Sequence, residues 1–247
     1  MIKRAIEERI HNALAKKKVV TIMGPRQVGK STLAGAMIPE DANDLEINGD
    51  NTDVQTMFVN VDDTKMKVLI GNKNFLFVDE AQKIVNVGNM LKIVAEKFDD
   101  VKVIVTGSSA FKLAEAVNES LTGRKREFRL YPLSFKEMAD ETSVLEESRM
   151  IDHRLIYGYY PEVVTSPGDE KEVIKELIDS YLYKDVLEEN EIAKQDKLIR
   201  LVQALAFQIG STVSANELAG LVGVDAKTVE RYIDILEKCY IIFTLPS

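Results

Sequence analysis

The feature that most constrains this chain is a short apolar run leading straight into a loop flanked by two glycines. Residues 19–23 read Val-Val-Thr-Ile-Met, and residues 24–31 read Gly-Pro-Arg-Gln-Val-Gly-Lys-Ser. This is the pattern of a P-loop, in which glycines let the backbone wrap closely around a phosphate group. The pattern therefore predicts a strand, then a loop that binds a nucleoside triphosphate, then a helix over residues 31–37.

The loop and the first turn of that helix have expected roles in binding ATP and Mg²⁺. Backbone amides and the amino end of the helix attract the phosphates, and Lys30 supplies a charge to the β- and γ-phosphate oxygens. The Ser31 hydroxyl is the expected Mg²⁺ ligand. The predicted nucleotide-binding residues are Gly24, Pro25, Arg26, Gln27, Val28, Gly29, Lys30, Ser31 and Thr32.

An acidic pair follows a second apolar run. Residues 75–78 read Phe-Leu-Phe-Val, typical of a buried parallel strand, and Asp79 and Glu80 come directly after them. We expect Asp79 to hold Mg²⁺, usually through water, and Glu80 to orient or deprotonate the attacking water. A kinase for small molecules needs no water activator, so Glu80 favours hydrolysis. The alternative is a solvated acidic turn.

Two further segments have competing interpretations. Thr106, Ser108 and Ser109 follow the next apolar run, where a hydroxyl could sense the γ-phosphate or could simply bond to loop amides. Residues 123–126 are the most basic segment. Arg124 could reach a phosphate in the same chain or across a subunit interface, which leaves a homo-oligomer open, or it could belong to a solvated face.

The order of apolar runs and helical patterns predicts an α/β fold. An amphipathic helix over residues 1–15 precedes five strands, which we expect to form one parallel sheet of the P-loop type. The strands are predicted at residues 19–23, 45–48, 75–78, 101–105 and 128–131. Beyond Pro132 the patterns are helical. The predicted domains are 1–140, an ATPase domain; 141–192, a helical linker; and 193–247, an incomplete winged helix-turn-helix module.

The last module is better defined in shape than in function. A capping box at Ser214, a turn at Gly223 and a helix from Asp225 have the spacing of a helix-turn-helix, with a first wing strand expected at residues 241–245. Three basic residues on the presumed recognition helix stand against four acidic ones, a net charge of −1. Protein docking or a structural role is therefore favoured, and only weak, sequence-independent DNA binding through residues 214–245 is left open.

Composition excludes several other classes. The net charge of −8 argues against a general nucleic-acid coat, and a single cysteine, Cys239, rules out an internal disulfide and fits a reducing compartment. The only histidines are His11 and His153, and no Cys and His residues stand at the spacing typical of metal ligands, so a transition-metal site is not expected. No run approaches the roughly 18 apolar residues of a membrane span. We expect a cytoplasmic protein without membrane contact.

Six motifs occur in order: Gly-Pro-Arg-Gln-Val-Gly-Lys-Ser-Thr, Phe-Val-Asp-Glu-Ala-Gln-Lys, Val-Thr-Gly-Ser-Ser, Ser-Leu-Thr-Gly-Arg, Tyr-Pro-Leu-Ser-Phe-Lys-Glu and Tyr-Gly-Tyr-Tyr-Pro-Glu-Val. With them, the chain resembles a large prokaryotic AAA-family ATPase group over essentially its whole length. The resemblance implies roles for residues already singled out. Lys30 and Ser31 match the phosphate and Mg²⁺ residues, Asp79 and Glu80 the acidic pair, Ser108 the sensor region, and Arg124 the Gly-Arg position.

Two departures from that group matter. Its members usually have Gly-Gly-Tyr-Pro where this chain has Tyr159 at the second position. They also continue well beyond the point that corresponds to Ser247, through a winged-helix part into a nuclease-like fold. The chain is therefore expected to be a fragment, and no nuclease function is assigned to it.

The sequence leaves three functional hypotheses. The first is an ATP-hydrolysing switch that couples its nucleotide state to the winged-helix module. The second is a nucleic-acid or protein interaction module that binds ATP with negligible turnover. The third is a small-molecule kinase.

Overall fold

The structure, a computed structural model, describes residues 1–107, 121–180, 186 and 194–245. They belong to two compact units, Met1–Ile174 and Lys175–Ser247, which are treated separately below. The division into three domains at residues 140 and 192 stays a prediction.

The first unit is built on a five-stranded parallel sheet, which confirms the predicted fold class. The strands are β1 Val19–Met23, β2 Asp44–Asn48, β3 Phe75–Asp79, β4 Lys102–Gly107 and β5 Lys125–Arg129. Their spatial order is β2-β3-β4-β1-β5, and every neighbouring pair is parallel. All of β1 is buried, because the sheet is covered on both faces. The carboxyl ends of β1, β3 and β4 therefore meet at one edge.

Ten helices of the described chain begin in this unit, together with a 3₁₀ turn at Ala81–Lys83. They are α1 Glu7–Ala15, α2 Lys30–Ala36, α3 Thr52–Met57, α4 Asp63–Ile70, α5 Val87–Lys97, α6 Phe135–Glu141, α7 Val144–Arg149, α8 Ile151–Tyr157, α9 Pro161–Thr165 and α10 Glu170–Ser180. None of the helices in the described part of the chain is long and apolar enough to cross a membrane.

One buried apolar cluster joins the first two helices to the sheet. Ile10 and Leu14 of α1 are buried in one cluster with Ile22 of β1, Leu33 of α2 and Phe77 of β3. The periodic apolar residues predicted for the first helix are thus its buried face, although the helix begins at residue 7 and not at residue 1.

Three elements differ from the sequence prediction. Helix α3 was not predicted, because it buries no residue and so has no apolar periodicity. Helix α4 was also not predicted. A signal for its start was present in the sequence, because Asp62 is a typical helix-capping residue and its carboxylate accepts from the Lys65 amide. The fifth strand begins at Lys125, three positions before the predicted start, since backbone pairing with β1 sets its bounds and one side of it is charged and exposed.

The second unit contains three further helices, α11 Gln195–Ala206, α12 Ala215–Val222 and α13 Ala226–Lys238. They share one apolar core that includes Cys239, which is buried. Gly223 ends α12 in the left-handed conformation at φ 75°, and the Asp225 side chain caps α13 by accepting from the Thr228 amide at 2.9 Å.

Two details of this module were predicted wrongly. Ser214 precedes α12 but makes no side-chain capping hydrogen bond, so the expected capping box is not formed. Residues 241–245 are not a strand. The helix-turn-helix spacing is therefore present, while residues 241–245 do not form the expected first wing strand.

Candidate functional site

Residues 24–29 form a tight loop between the end of β1 and the start of α2. A Cβ at Gly24 would lie 2.0 Å from the carbonyl oxygen of Leu130, so only glycine fits there. Gly29 has φ +90°, a conformation that side chains other than hydrogen disfavour. Both glycines of the motif are thus required by the backbone, as the sequence predicted.

Lys30 lies inside the loop. Its side chain is 5% exposed, and its ammonium group donates to the carbonyl oxygens of Gly24 at 3.0 Å and Pro25 at 2.6 Å. These charge-assisted hydrogen bonds compensate the loss of water around a buried cation. The loop therefore closes around a positive charge, which is the arrangement that an anionic ligand requires.

Three elements bring oxygen atoms together beside Lys30. The Ser31 hydroxyl, at the start of α2, donates to the carboxylate of Asp79 and lies 2.9 Å from both of its oxygens. The hydroxyl of Thr106, on β4, donates to the same carboxylate. The side chains of the two predicted Mg²⁺ residues, Ser31 and Asp79, are therefore in contact. Thr106 is a second side chain that donates to the Asp79 carboxylate.

This cluster contains a single carboxylate at its centre. Among the residues that the structure describes, no group of three or more His, Cys, Asp or Glu side chains could hold a metal ion. Mg²⁺ is commonly bound by one or two protein oxygens together with substrate phosphates, so Ser31 and Asp79 fit that ion better than a metal that needs a cage of protein ligands.

Glu80 lies on a sharply bent turn after β3. Its backbone is in the left-handed region, at φ 47° and ψ 44°, which costs a residue with a side chain about 1 kcal/mol or more. The turn also passes very close to Gly49, where a Cβ would lie 2.3 Å from the Glu80 carbonyl oxygen. The side-chain amide of Gln82 donates to the Glu80 carboxylate. No pattern in the sequence indicated a role at the site for Gln82 or Gly49.

The structure places Arg124 away from this cluster. In the register of β1 and β5, Val19 pairs with Lys125 and Met23 with Arg129, so Arg124 lies at the amino edge of the sheet. Its guanidinium forms an ion pair of 2.7 Å with Glu96. Of the alternatives left open by the sequence, a phosphate contact by Arg124 within the same chain does not fit this placement, since a strand of five residues spans roughly 16 Å. A role across a subunit interface stays a prediction, and Ser108 and Ser109 lie outside the described residues.

A buried ion pair next to the loop was missed by the sequence analysis. The guanidinium of Arg4 lies 3.1 Å from the carboxylate of Glu137, and both side chains are less than a tenth exposed. Burial raises the pKa of Glu137, but hydrogen bonds from the Ala5 and Ser134 amides and the charge of Arg4 outweigh it, and the pKa is lowered below its usual range. The carboxylate is therefore ionised at neutral pH.

One local signal for Glu137 was present in the sequence. Ser134 and Glu137 stand three positions apart before an apolar helix face, and they form a capping box at the start of α6. That spacing predicts a helix start, but it gives no indication of the arginine with which Glu137 pairs.

Comparisons with known proteins agree with this geometry. A family model described as an AAA domain matches residues 16–139, and one described as a domain of unknown function matches residues 148–247. An uncharacterized protein of Methanocaldococcus jannaschii is 25% identical, covering 98% of this chain and 59% of that protein. One of Mycobacterium tuberculosis is also 25% identical, covering 97% of this chain and 52% of that protein. The chain thus spans little more than half the length of these relatives.

Among solved structures, a Walker-type ATPase of Pyrococcus abyssi has a similar fold, with a TM-score of 0.56. The alignment covers 97% of this chain and 90% of that one at 16% sequence identity. Because the AAA-domain model matches half of the chain, residues 16–139, the chain belongs to the AAA domain family.

Proposed function

We propose that the chain binds ATP with Mg²⁺ at residues 24–32 and hydrolyses it. The observation that carries the proposal is the group of Lys30, Ser31 and Asp79, which the start of α2 and the end of β3 bring to one edge of the sheet. A buried cation inside a glycine-containing loop suits phosphate oxygens, and a hydroxyl beside a carboxylate suits a hard divalent cation.

Each side chain has a distinct task in this proposal. Ser31 would hold the ion directly and Asp79 through water, and a bound Mg²⁺ would neutralise negative charge on the phosphate oxygens. Lys30 would turn from the loop carbonyls to a phosphate oxygen. Thr106 keeps the Asp79 carboxylate oriented, because its hydroxyl donates to that group.

Glu80 is the proposed general base. Its carboxylate would accept a proton from water as the water oxygen attacks the γ-phosphorus and the bond to the β-phosphate oxygen breaks. The strained backbone at Glu80 supports this role, since such conformations persist where the surrounding structure holds a functional side chain in place.

One observation favours the alternative of ATP binding with negligible turnover. The amide of Gln82 donates to the Glu80 carboxylate, and this hydrogen bond occupies a carboxylate oxygen that a general base would need for the attacking water. If this contact persists with nucleotide bound, the chain would hold ATP without consuming it.

Phosphate release measured over many turnovers tests the two proposals. We expect the chain to release phosphate from ATP continuously, and only when Mg²⁺ is present. Calorimetric binding of ATP without release would support the interaction module, and absence of both binding and release would contradict both proposals.

The proposal has four further parts. They are coupling of the nucleotide state to residues 193–247, a protein partner for that module, a homo-oligomer and a cytoplasmic location. They rest on the sequence patterns and on the family resemblance. The DNA-associated alternative for the module can be tested directly.

We expect any DNA binding by this chain to be weak and independent of sequence. On α13 the basic residues are Lys227, Arg231 and Lys238, and Lys238 forms an ion pair of 2.6 Å with Asp234. With few phosphate contacts available, dissociation constants should be no tighter than about micromolar at physiological salt and should change little with salt. Fluorescence anisotropy with a labelled duplex at several salt concentrations would measure this. Nanomolar, sequence-selective binding that Arg231→Ala abolishes would contradict it.

A further inference from the structure

We propose that Arg4 is a positioning residue for the nucleotide-binding loop and that Glu137 holds it in place. The inference deepens the proposed function and rests on it, because the loop matters only if it binds a phosphate chain. It concerns two residues that lie outside the loop and outside the acidic pair.

Arg4 joins three separate segments of the first unit. Its Nη1 atom donates to the carbonyl oxygen of Val28 in the loop at 2.8 Å, and its Nη2 atom donates to the carbonyl oxygen of Tyr131 after β5 at 2.6 Å. Its Nε atom donates to Glu137 on α6 at 3.1 Å. A planar guanidinium satisfies three such acceptors in fixed directions, whereas a lysine ammonium cannot match that fork.

The contact with Val28 fixes the direction of the next amide. No cis peptide bond occurs in the described chain, so the carbonyl of Val28 and the N–H of Gly29 point in opposite directions across one planar peptide group. The carbonyl points to Arg4, and the Gly29 N–H therefore points away from it. Gly29 has no side chain to restrict its φ angle, so the Val28–Gly29 peptide group could rotate. The hydrogen bond from Arg4 to the Val28 carbonyl limits that rotation.

Glu137 in turn leaves Arg4 little freedom. One carboxylate oxygen accepts from the Arg4 Nε atom and from the Ala5 amide at 2.8 Å. The other accepts from the Ser134 amide at 2.8 Å and from the Ser134 hydroxyl at 3.1 Å. Every direction of this carboxylate is occupied, so removal of its charge would loosen Arg4 and, through Arg4, the loop.

The chain offers a matched control for a buried ion pair. Arg154 and Glu147 lie 3.1 Å apart in the same unit, with side-chain exposures of 9% and 2% against 7% and 8% for Arg4 and Glu137. The described side-chain contacts of Arg154 are with Glu147 and with the ring of Tyr159. Loss of either pair should lower thermal stability, but only loss of Arg4 should affect the loop.

The experiment compares Arg4→Gln with Arg154→Gln in the 247-residue chain, with two measurements for each. Amide hydrogen exchange without nucleotide should be about tenfold faster at residues 28–30 in Arg4→Gln, and calorimetric ATP affinity should fall about tenfold, the scale of one charge-assisted hydrogen bond. In Arg154→Gln both quantities should stay within about twofold of the wild type, while the melting temperature falls as in Arg4→Gln.

If Arg4→Gln does not fold, Arg4→Lys and Glu137→Gln take its place. Arg4→Lys replaces the planar guanidinium, Glu137→Gln removes the charge of the carboxylate that holds it, and both nearly keep the side-chain volume. Wild-type exchange and affinity in these variants, or equal losses in the Arg154 control, would overturn the inference. Failure of the wild type to bind ATP would contradict the proposed function instead, and the exchange measurement would still decide whether Arg4 positions the loop.

Discussion

Glu80→Gln is expected to leave ATP binding intact and to lower the rate of phosphate release by about 10² or more, the usual effect of losing a general base. The amide has the size of the carboxylate and fits the same turn, but it cannot accept the proton of the attacking water. Single-turnover phosphate release and calorimetric ATP titration together measure the two quantities separately.

Glu46→Gln is a suitable control for that variant. It makes the same chemical change at an exposed position of β2 in the same sheet, and it should hydrolyse ATP at the wild-type rate. A wild-type rate in Glu80→Gln would mean that Glu80 is a structural turn residue and that another group positions the water.

Lys30→Ala is expected to weaken ATP binding about tenfold to a hundredfold, because a hydrogen bond between charged groups is lost from a buried site. The ammonium group that the loop encloses is removed, and with it the charge expected at the β- and γ-phosphate oxygens. Calorimetric titration with ATP and Mg²⁺ measures the change.

Lys92→Ala provides the comparison, since Lys92 is an exposed lysine of α5 and its loss should leave the affinity unchanged. Equal ATP affinities for the wild type and Lys30→Ala would contradict the assignment of the P-loop. Reduced affinity in both variants would indicate a loss of general attraction by positive charge and not of a specific contact.

Features that depend on neighbours along the chain could be predicted from the sequence. The loop at residues 24–31 is a local pattern whose glycines are required by the backbone, and the strands around Ile22 and Phe77 follow continuous apolar runs. The meeting of Ser31 with Asp79 also followed, because parallel strands bring their carboxyl ends to one edge.

Features that depend on distant partners could not be predicted in this way. Arg4 and Glu137 are separated by 133 positions, and no local pattern signals that they pair. The position of Arg124 depends on the start of β5, which is set by pairing with β1 and not by its own apolar content. The contact of Gly49 with the acidic turn likewise arises only when β2 lies beside β3.

The enclosure of Lys30 by the loop has a thermodynamic consequence for ligand binding. Since its ammonium already donates to Gly24 and Pro25, a phosphate would replace neutral acceptors with charged ones, and the enthalpy gained at this lysine would be smaller than that of a wholly new hydrogen bond. In return, the side chain is ordered before the ligand arrives, so little rotamer entropy is lost on association. The loop would then gain part of its affinity from this order, and its binding entropy should be less unfavourable than that of a loop whose lysine is disordered.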